Sequence, residues 1–257
     1  MTRVSGKSVF KTPCCGALYT RPNYSSINLS AKEFWTDGRT VNSLAPNDWG
    51  LRKCGCGQYY IDHKCERLYT LKDLKSPAPD GWEIQNWWTR FKGKPTREYY
   101  EKHYDTRPKA EREAHIAIFP SPAVHVNDEE LKAVIDSKPK DKSLEIIARR
   151  RYWQFLNDPY RVVYREYKKK DERSYPPYIA SDEIQNNIET LIQLLTEEGY
   201  SDNLEMADLY RQSGDFESAR AIVGSVVRPE DEPQKVAAIT ELIKQGRQGP
   251  AWYMLGH

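Results

Sequence analysis

All five cysteines of this chain fall in two short stretches, "KTPCCGALYTRPNYS" from Lys11 and "LRKCGCGQYYIDHKCERLY" from Leu51. No other feature limits the fold so tightly. Five thiols cannot all pair within one chain, so shared metal ligation is the simpler account of the clustering. Each cluster has a glycine directly behind it, Gly16 after Cys15 and Gly57 after Cys56. Glycine there lets a tight turn take positive φ and aims backbone N–H groups at the sulfurs. Two such turns meeting at one ion would close the long loop between them.

That is the plan of a zinc ribbon, in which two knuckles offer thiolates to a single ion. "KSVFK" before the first knuckle and "QYYID" after the second read as flanking strands. The spacing is unusual, because Thr12 and Lys53 stand where the outer cysteine of each C-x-x-C knuckle would be. Adjacent residues of an extended strand point to opposite sides, so Cys14 and Cys15 reach one ion only if the backbone turns sharply between them. Two ligand sets follow. One is Cys14, Cys15, Cys54 and Cys56; in the other, His63 or Cys65 replaces one of these. Cysteine-rich knuckles leave no open position, which suits one structural Zn2+ per chain and not a catalytic ion. The ~10–16 kcal/mol of binding energy at such a site is also folding energy. A loop-rich stretch with few aliphatic residues needs it.

The remainder of the chain changes character. We expect an α+β protein: a zinc-ribbon-like β domain over 1–75, a Trp/Pro-rich connecting segment over 76–125, and a helical domain over 126–257. In the first, "TDG" signals a hairpin turn, with Phe34, Trp35 and Trp49 as core pieces. In the second, "KSPAPDG" reads as a loop, and Trp82, Trp87 and Trp88 read as burying the joint between domains. "AHIAIFP" alternates weakly, as a strand does. Helices then follow. Asn127 and Glu130 form a capping box. Leu144, Ile147, Trp153 and Leu156 recur at helical spacing until "NDP" stops the run. Ser181 caps a helix whose stripe is Ile184, Ile188, Leu191, Ile192 and Leu195, with Gly199 at its end.

"NLEMADLYRQSGDFESARAIVGSVV" resembles a tetratricopeptide repeat, with small Ala207 and Ala219, aromatic Tyr210 and Phe216, and a turn at Gly214. Alanine lets two antiparallel helices approach, and the aromatic wedges between them. Arg211 and Arg220 are expected on the outer face. Only one clear repeat is present, so a helical hairpin packed on the preceding helices is expected, not a peptide-binding superhelix. The whole order, a CCG knuckle, a W-x-DG turn, a second knuckle, "RRYWQFLNDPYR" and then "ADLYRQSGDFESA", is similar to bacterial proteins that join a zinc ribbon to a tetratricopeptide-like helical region. The resemblance spans most of residues 10–225 and implies an architecture without an activity.

No phosphate-loop, nucleophile-elbow or zinc-protease motif is present, and the histidines are scattered, so no enzyme is expected. The expected role is a protein-interaction module, of adaptor or toxin-immunity type, with another protein as partner. The alternative is a nucleic-acid-binding regulator using the ribbon and the basic run 149–173, with Arg161, Arg165, Lys168, Lys169 and Lys170 on phosphates and tyrosines beneath bases. Against it, 39 basic side chains face 37 acidic ones, which gives no overall attraction to a polyanion. "MTRVSGKSVFKTPCCG" holds no apolar run of signal-peptide length, and no stretch approaches a membrane span. A cytoplasmic place with reduced thiols and no membrane partner is therefore expected.

Overall fold

A computed structural model describes residues 3–26, 31–42, 50–71, 97–104, 124–169, 175–200, 203–226 and 232–253. In chain order the elements are β1 (Arg3–Lys11), β2 (Leu18–Ser26), β3 (Ala31–Trp35), β4 (Thr40–Asn42), β5 (Leu51–Lys53), β6 (Tyr59–Ile61), β7 (Glu66–Leu71) and α1 (Arg97–His103). Then come β8 (Val124–His125), α2 (Leu131–Asp136), α3 (Lys142–Leu156), α4 (Asp158–Lys169), α5 (Asp182–Glu197), α6 (Asn203–Ser213), α7 (Phe216–Gly224), α8 (Pro233–Lys244) and β9 (Trp252–Tyr253). The mixed class expected from the sequence is present: small antiparallel sheets first, helices after. Trp49, Trp82, Trp87, Trp88, the "KSPAPDG" loop, the "AHIAIFP" strand and Lys170 lie outside the described residues.

The chain divides into two compact units, Met1–Ile27 with Arg52–Val124, and Asn28–Leu51 with His125–His257. Residues 28–51, which the sequence reading counted with the ribbon, therefore group with the helices.

In the first unit β1 is the centre of a sheet ordered β2-β1-β7, antiparallel on both sides. Phe10 lies opposite Tyr19 and Lys11 opposite Leu18, so the strands diverge into the first cysteine turn at their ends. Phe10, Tyr19 and Tyr60 are buried, and the Phe10 and Tyr19 rings stack at 5.5 Å. Offset aromatic contact of this kind adds to plain area burial in a core this small. Beneath them Asp62 is buried and held by Tyr19 Oη at 3.0 Å and the Arg52 guanidinium at 2.6 Å.

In the second unit a sheet ordered β4-β3-β9 carries the "TDG" turn. Gly38 N donates to Trp35 O at 2.9 Å, and Trp35 N donates to Arg39 O at 2.9 Å. Gly38 has φ of 79°, the left-handed position that closes a type I turn with a one-residue bulge. Helix α3 begins at a capping Asp141, whose side chain accepts from Ser143 N, and it buries residues on almost every side, Trp153 completely. The apolar stripe of α5, namely Ile184, Ile188, Leu191 and Leu195, packs against Trp153 and Leu209. Ser181 caps α5 by accepting from Ile184 N, as expected. The two Asn127–Glu130 hydrogen bonds form, Glu130 N to Asn127 Oδ1 at 2.8 Å and Asn127 N to Glu130 Oε2 at 3.3 Å, but α2 begins only at Leu131, so Glu130 and not Asn127 stands at its N-cap. A second cluster joins α6, α7 and α8 through Leu204, Ala207, Ala219, Ile239 and Ile243, with Tyr210 and Phe216 half-buried against it.

One expectation fails here. Arg211 is fully buried, not on an outer face. It ion-pairs with Asp208 at 2.6 Å within α6, and its guanidinium also donates to Gly249 O at 3.0 Å and to Arg247 O. An arginine can enter a core when a carboxylate and backbone carbonyls together satisfy its fixed fork of donors. Arg220 is exposed, as expected.

Candidate metal centre

The first knuckle is a turn that β1 and β2 deliver. Thr12 N donates to Ala17 O at 2.8 Å and Gly16 N to Thr12 O at 3.2 Å, which bends the chain through Cys14 and Cys15. Gly16 has φ of 71°. This is the sharp turn that two adjacent cysteines need if both are to face one point. The second knuckle links β5 to β6. Cys54 N donates to Gln58 O at 2.8 Å and Gly57 N to Cys54 O at 2.9 Å, with Gly57 at φ of 86°.

The two turns meet. The sulfurs of Cys14, Cys15, Cys54 and Cys56 all lie within 4.8 Å of one another. Cys15 Sγ is 3.4 Å from Cys54 Sγ, Cys14 Sγ is 3.6 Å from Cys56 Sγ, and Cys14 Sγ is 3.9 Å from Cys15 Sγ. Four sulfurs at about 2.3 Å from a tetrahedral ion would stand about 3.8 Å apart, so the spacing fits a four-thiolate ion. Cys54 is buried, Cys14 half-buried, and Cys15 and Cys56 exposed.

Local hydrogen bonds prepare one of these thiols for ionisation. A backbone hydrogen bond from Ala17, aided by the Thr12 hydroxyl, lowers the Cys15 thiol to about 6. Burial, with Cys54 beside it, pushes the Cys14 thiol up to about 12. Sulfurs this close cannot all carry charge unless a cation lies between them, and metal ligation requires all four as thiolates.

His63 and Cys65 are not part of the group. His63 is exposed on the one-turn 3-10 helix Asp62–Lys64. Cys65 packs against the Phe10, Tyr19 and Tyr60 cluster and its thiol donates to Ile61 O at 3.5 Å. Burial pushes that thiol up, as for a small apolar side chain. The sequence counted Thr12 as a missing ligand. Its hydroxyl lies 3.6 Å from Cys15 Sγ and 4.0 Å from Cys54 Sγ, so it supports the sulfurs from behind. Lys53 lays its ammonium over the Tyr59 ring at 5.9 Å.

The basic run is largely paired within the protein over its described residues. Among them several arginines are buried or ion-paired, while Lys168 and Lys169 are exposed. Arg161 is buried and pairs with Asp37, also buried, and with Asp158. Arg165 holds Glu33 through its Nε at 3.0 Å and an Nη at 2.7 Å. Arg150 pairs with Glu205 and Arg151 with Asp128 at 2.6 Å. Lys169 pairs with Glu166 at 2.7 Å. Lys168 is exposed, over the Tyr164 ring at 5.6 Å and the Tyr175 ring at 5.1 Å.

Around Asp37 the sequence reading missed a buried polar network. Asn157 Nδ2 donates to Asp37 Oδ2 and to Gln212 Oε1, both at 3.1 Å. Gln154 Nε2 donates to Asp37 O at 3.0 Å, and Trp153 Nε1 to Gln212 Oε1 at 3.0 Å. Gln212 Nε2 reaches Asp208 Oδ2 at 2.8 Å and so joins the Arg211 pair. Burial raises the Asp37 carboxyl above its ordinary value, while the Arg161 charge pulls it back. The network joins the W-x-DG turn to "NDPYR" and to α6.

No family model, curated protein or solved structure matches the chain. Among the described residues no helix is long and apolar enough to cross a membrane.

Proposed function

We propose that the chain is a non-enzymatic protein-interaction module, of adaptor or toxin-immunity type, whose first unit is a zinc ribbon closed by one structural zinc ion. The four-sulfur cluster carries this reading. A fully sulfur-ligated tetrahedral ion has no vacant position for substrate or water, and zinc is the ion that such a set takes in structural sites. Around that centre the chain spends its hydrogen bonds on shape. Thr12 and the Ala17 N–H steady Cys15, and β1 and β2 hold the first knuckle at the end of a sheet.

The helical unit, read as tetratricopeptide-like through its α6–α7 hairpin, is the docking platform. Its buried arginines are committed to internal pairs, so recognition falls to exposed side chains such as Arg220. The partner is a protein, met in the cytoplasm, where free thiols persist. Capture from a reducing lysate, with the zinc-loaded full chain as bait, tests this. One stoichiometric protein is expected, with weaker capture by Arg220→Glu at unchanged stability. Recovery of nucleic acid instead, at a yield falling steeply with salt, would replace this reading with the second.

That second reading, a nucleic-acid-binding regulator, is favoured by one observation. Lys168 and Arg247 both lie over the Tyr175 ring, at 5.1 and 4.2 Å, a cation–aromatic surface of the kind that meets single strands. It is weakened at Arg161, whose guanidinium is inside the protein and committed to Asp37 and Asp158.

A further inference from the structure

We infer that the four-cysteine cluster is also a site of oxidation by hydroperoxides, in which each knuckle's exposed sulfur is attacked first and the opposite knuckle's sheltered sulfur resolves it as a disulfide. The inference rests on the zinc reading for the release of metal, and on the sulfur geometry alone for the pairing. Two close sulfur contacts run between knuckles, Cys15 to Cys54 at 3.4 Å and Cys14 to Cys56 at 3.6 Å. Each pair holds one exposed member, Cys15 or Cys56, and one more sheltered, Cys54 or Cys14. That is the division between an attacked and a resolving thiol. The adjacent pair Cys14–Cys15 is farther apart at 3.9 Å and would link nothing beyond its own knuckle. Cys65 is outside the cluster, turned to Ile61 O among aromatic rings.

The chemistry balances within each pair. The exposed thiolate attacks the terminal peroxide oxygen, the O–O bond breaks, and hydroxide from hydrogen peroxide, or alkoxide from an organic hydroperoxide, leaves and takes a proton to become water or an alcohol. The sulfur is now a sulfenic acid. The partner thiolate attacks that sulfur, the S–S bond forms, the S–O bond breaks, and hydroxide leaves as water. Two thiolates have lost two electrons and one peroxide has gained them, so full conversion takes two peroxides. The sulfur lone pairs that held the ion are then lost to it, and zinc departs. Because both disulfides cross between the knuckles, the covalent link replaces the metal link and the loop stays closed.

The test is a peroxide titration of the reduced full chain, with zinc followed by a metallochromic dye and disulfides by mass spectrometry. Trypsin cuts after Lys53 and Lys64, which separates the first knuckle, the second knuckle and Cys65 into different peptides. Peptides joining the two knuckles should appear in step with zinc release, Cys65 should remain open to alkylation, and a dithiol with added zinc should reverse both. Cys14→Ser with Cys56→Ser keeps the Cys15–Cys54 pair and should still cross-link; Cys15→Ser with Cys56→Ser lacks both exposed sulfurs and should lose cross-linking on the same time scale. Should those variants fail to fold, the wild-type peptide map decides alone. Zinc present at the start but no inter-knuckle disulfide, or a disulfide to Cys65, overturns this inference and leaves the zinc reading standing. Inter-knuckle disulfides in a chain that carried no zinc at the start support the pairing and overturn the zinc reading.

Discussion

The Asp37–Arg161 pair is the residue-level feature with the largest expected effect. Both side chains are out of water, so the pair gains little over two apolar residues but costs heavily when only half of it is removed. Asp37→Ala should destabilise the protein by about 3–5 kcal/mol, by taking away the buried carboxylate and leaving the buried guanidinium only the partly exposed Asp158 as its ion-pair partner. The double variant Asp37→Ala, Arg161→Met should cost less than the two single changes added together. Denaturant titration of the three variants checks this; strict additivity would mean that the two charges do not interact. A second residue prediction concerns pH. The Arg165 hydrogen bonds hold the Glu33 carboxyl below its ordinary value. A carboxylate lowered in the folded state contributes stability above its unfolded pKa and loses it as pH falls through the folded one. Glu33→Gln should therefore lower stability near neutrality and flatten the acid limb of the stability curve. An unchanged acid limb would show the pair to be idle.

At the scale of elements, the α6–α7 hairpin separates what packs from what is free to bind. Ala219 has no room around it, so Ala219→Trp should cost about 1–3 kcal/mol by overpacking. Phe216 is half-buried, so Phe216→Ala should cost about 2–3 kcal/mol, below the range for a fully enclosed aromatic. Arg220→Glu should stay within about 0.5 kcal/mol, while Arg211→Glu, which sets two carboxylates together in a dry core, should be strongly destabilising. Thermal melts of the four variants should rank them in that way, and a harmless Phe216→Ala would unseat the hairpin. The elements were readable wherever a local rule acts alone. The α5 stripe, the Ser181 cap and the "TDG" turn each rest on a few neighbouring residues, and each formed. Arg161 and Arg211 were misread because charge predicts exposure only until a buried carboxylate supplies a partner, distant Asp37 for Arg161 and neighbouring Asp208 for Arg211. Asp37 lies 124 residues before Arg161, and no periodicity joins them. Cys14 and Cys15 were readable as candidate ligands, but whether the chain turns between them depended on a hydrogen bond from Gly16 to Thr12 that spacing alone does not reveal.

For the whole molecule, the account predicts that the two units answer differently to loss of metal. The first has a small aromatic core and a cysteine cluster; the second has two apolar clusters and a buried ionic network. Acid should release the ion, because protons compete for thiolates, and a strong chelator should do the same at neutral pH. Far-ultraviolet circular dichroism, dominated by the helices, should change little in either case, while proteolysis should then attack the knuckles. The most direct test of the central claim is X-ray absorption at the zinc edge on the reduced full chain. The account predicts one zinc per chain with four sulfur neighbours at about 2.3 Å and no nitrogen or oxygen in the first shell. A folded chain without zinc, or a shell containing histidine nitrogen, would contradict it.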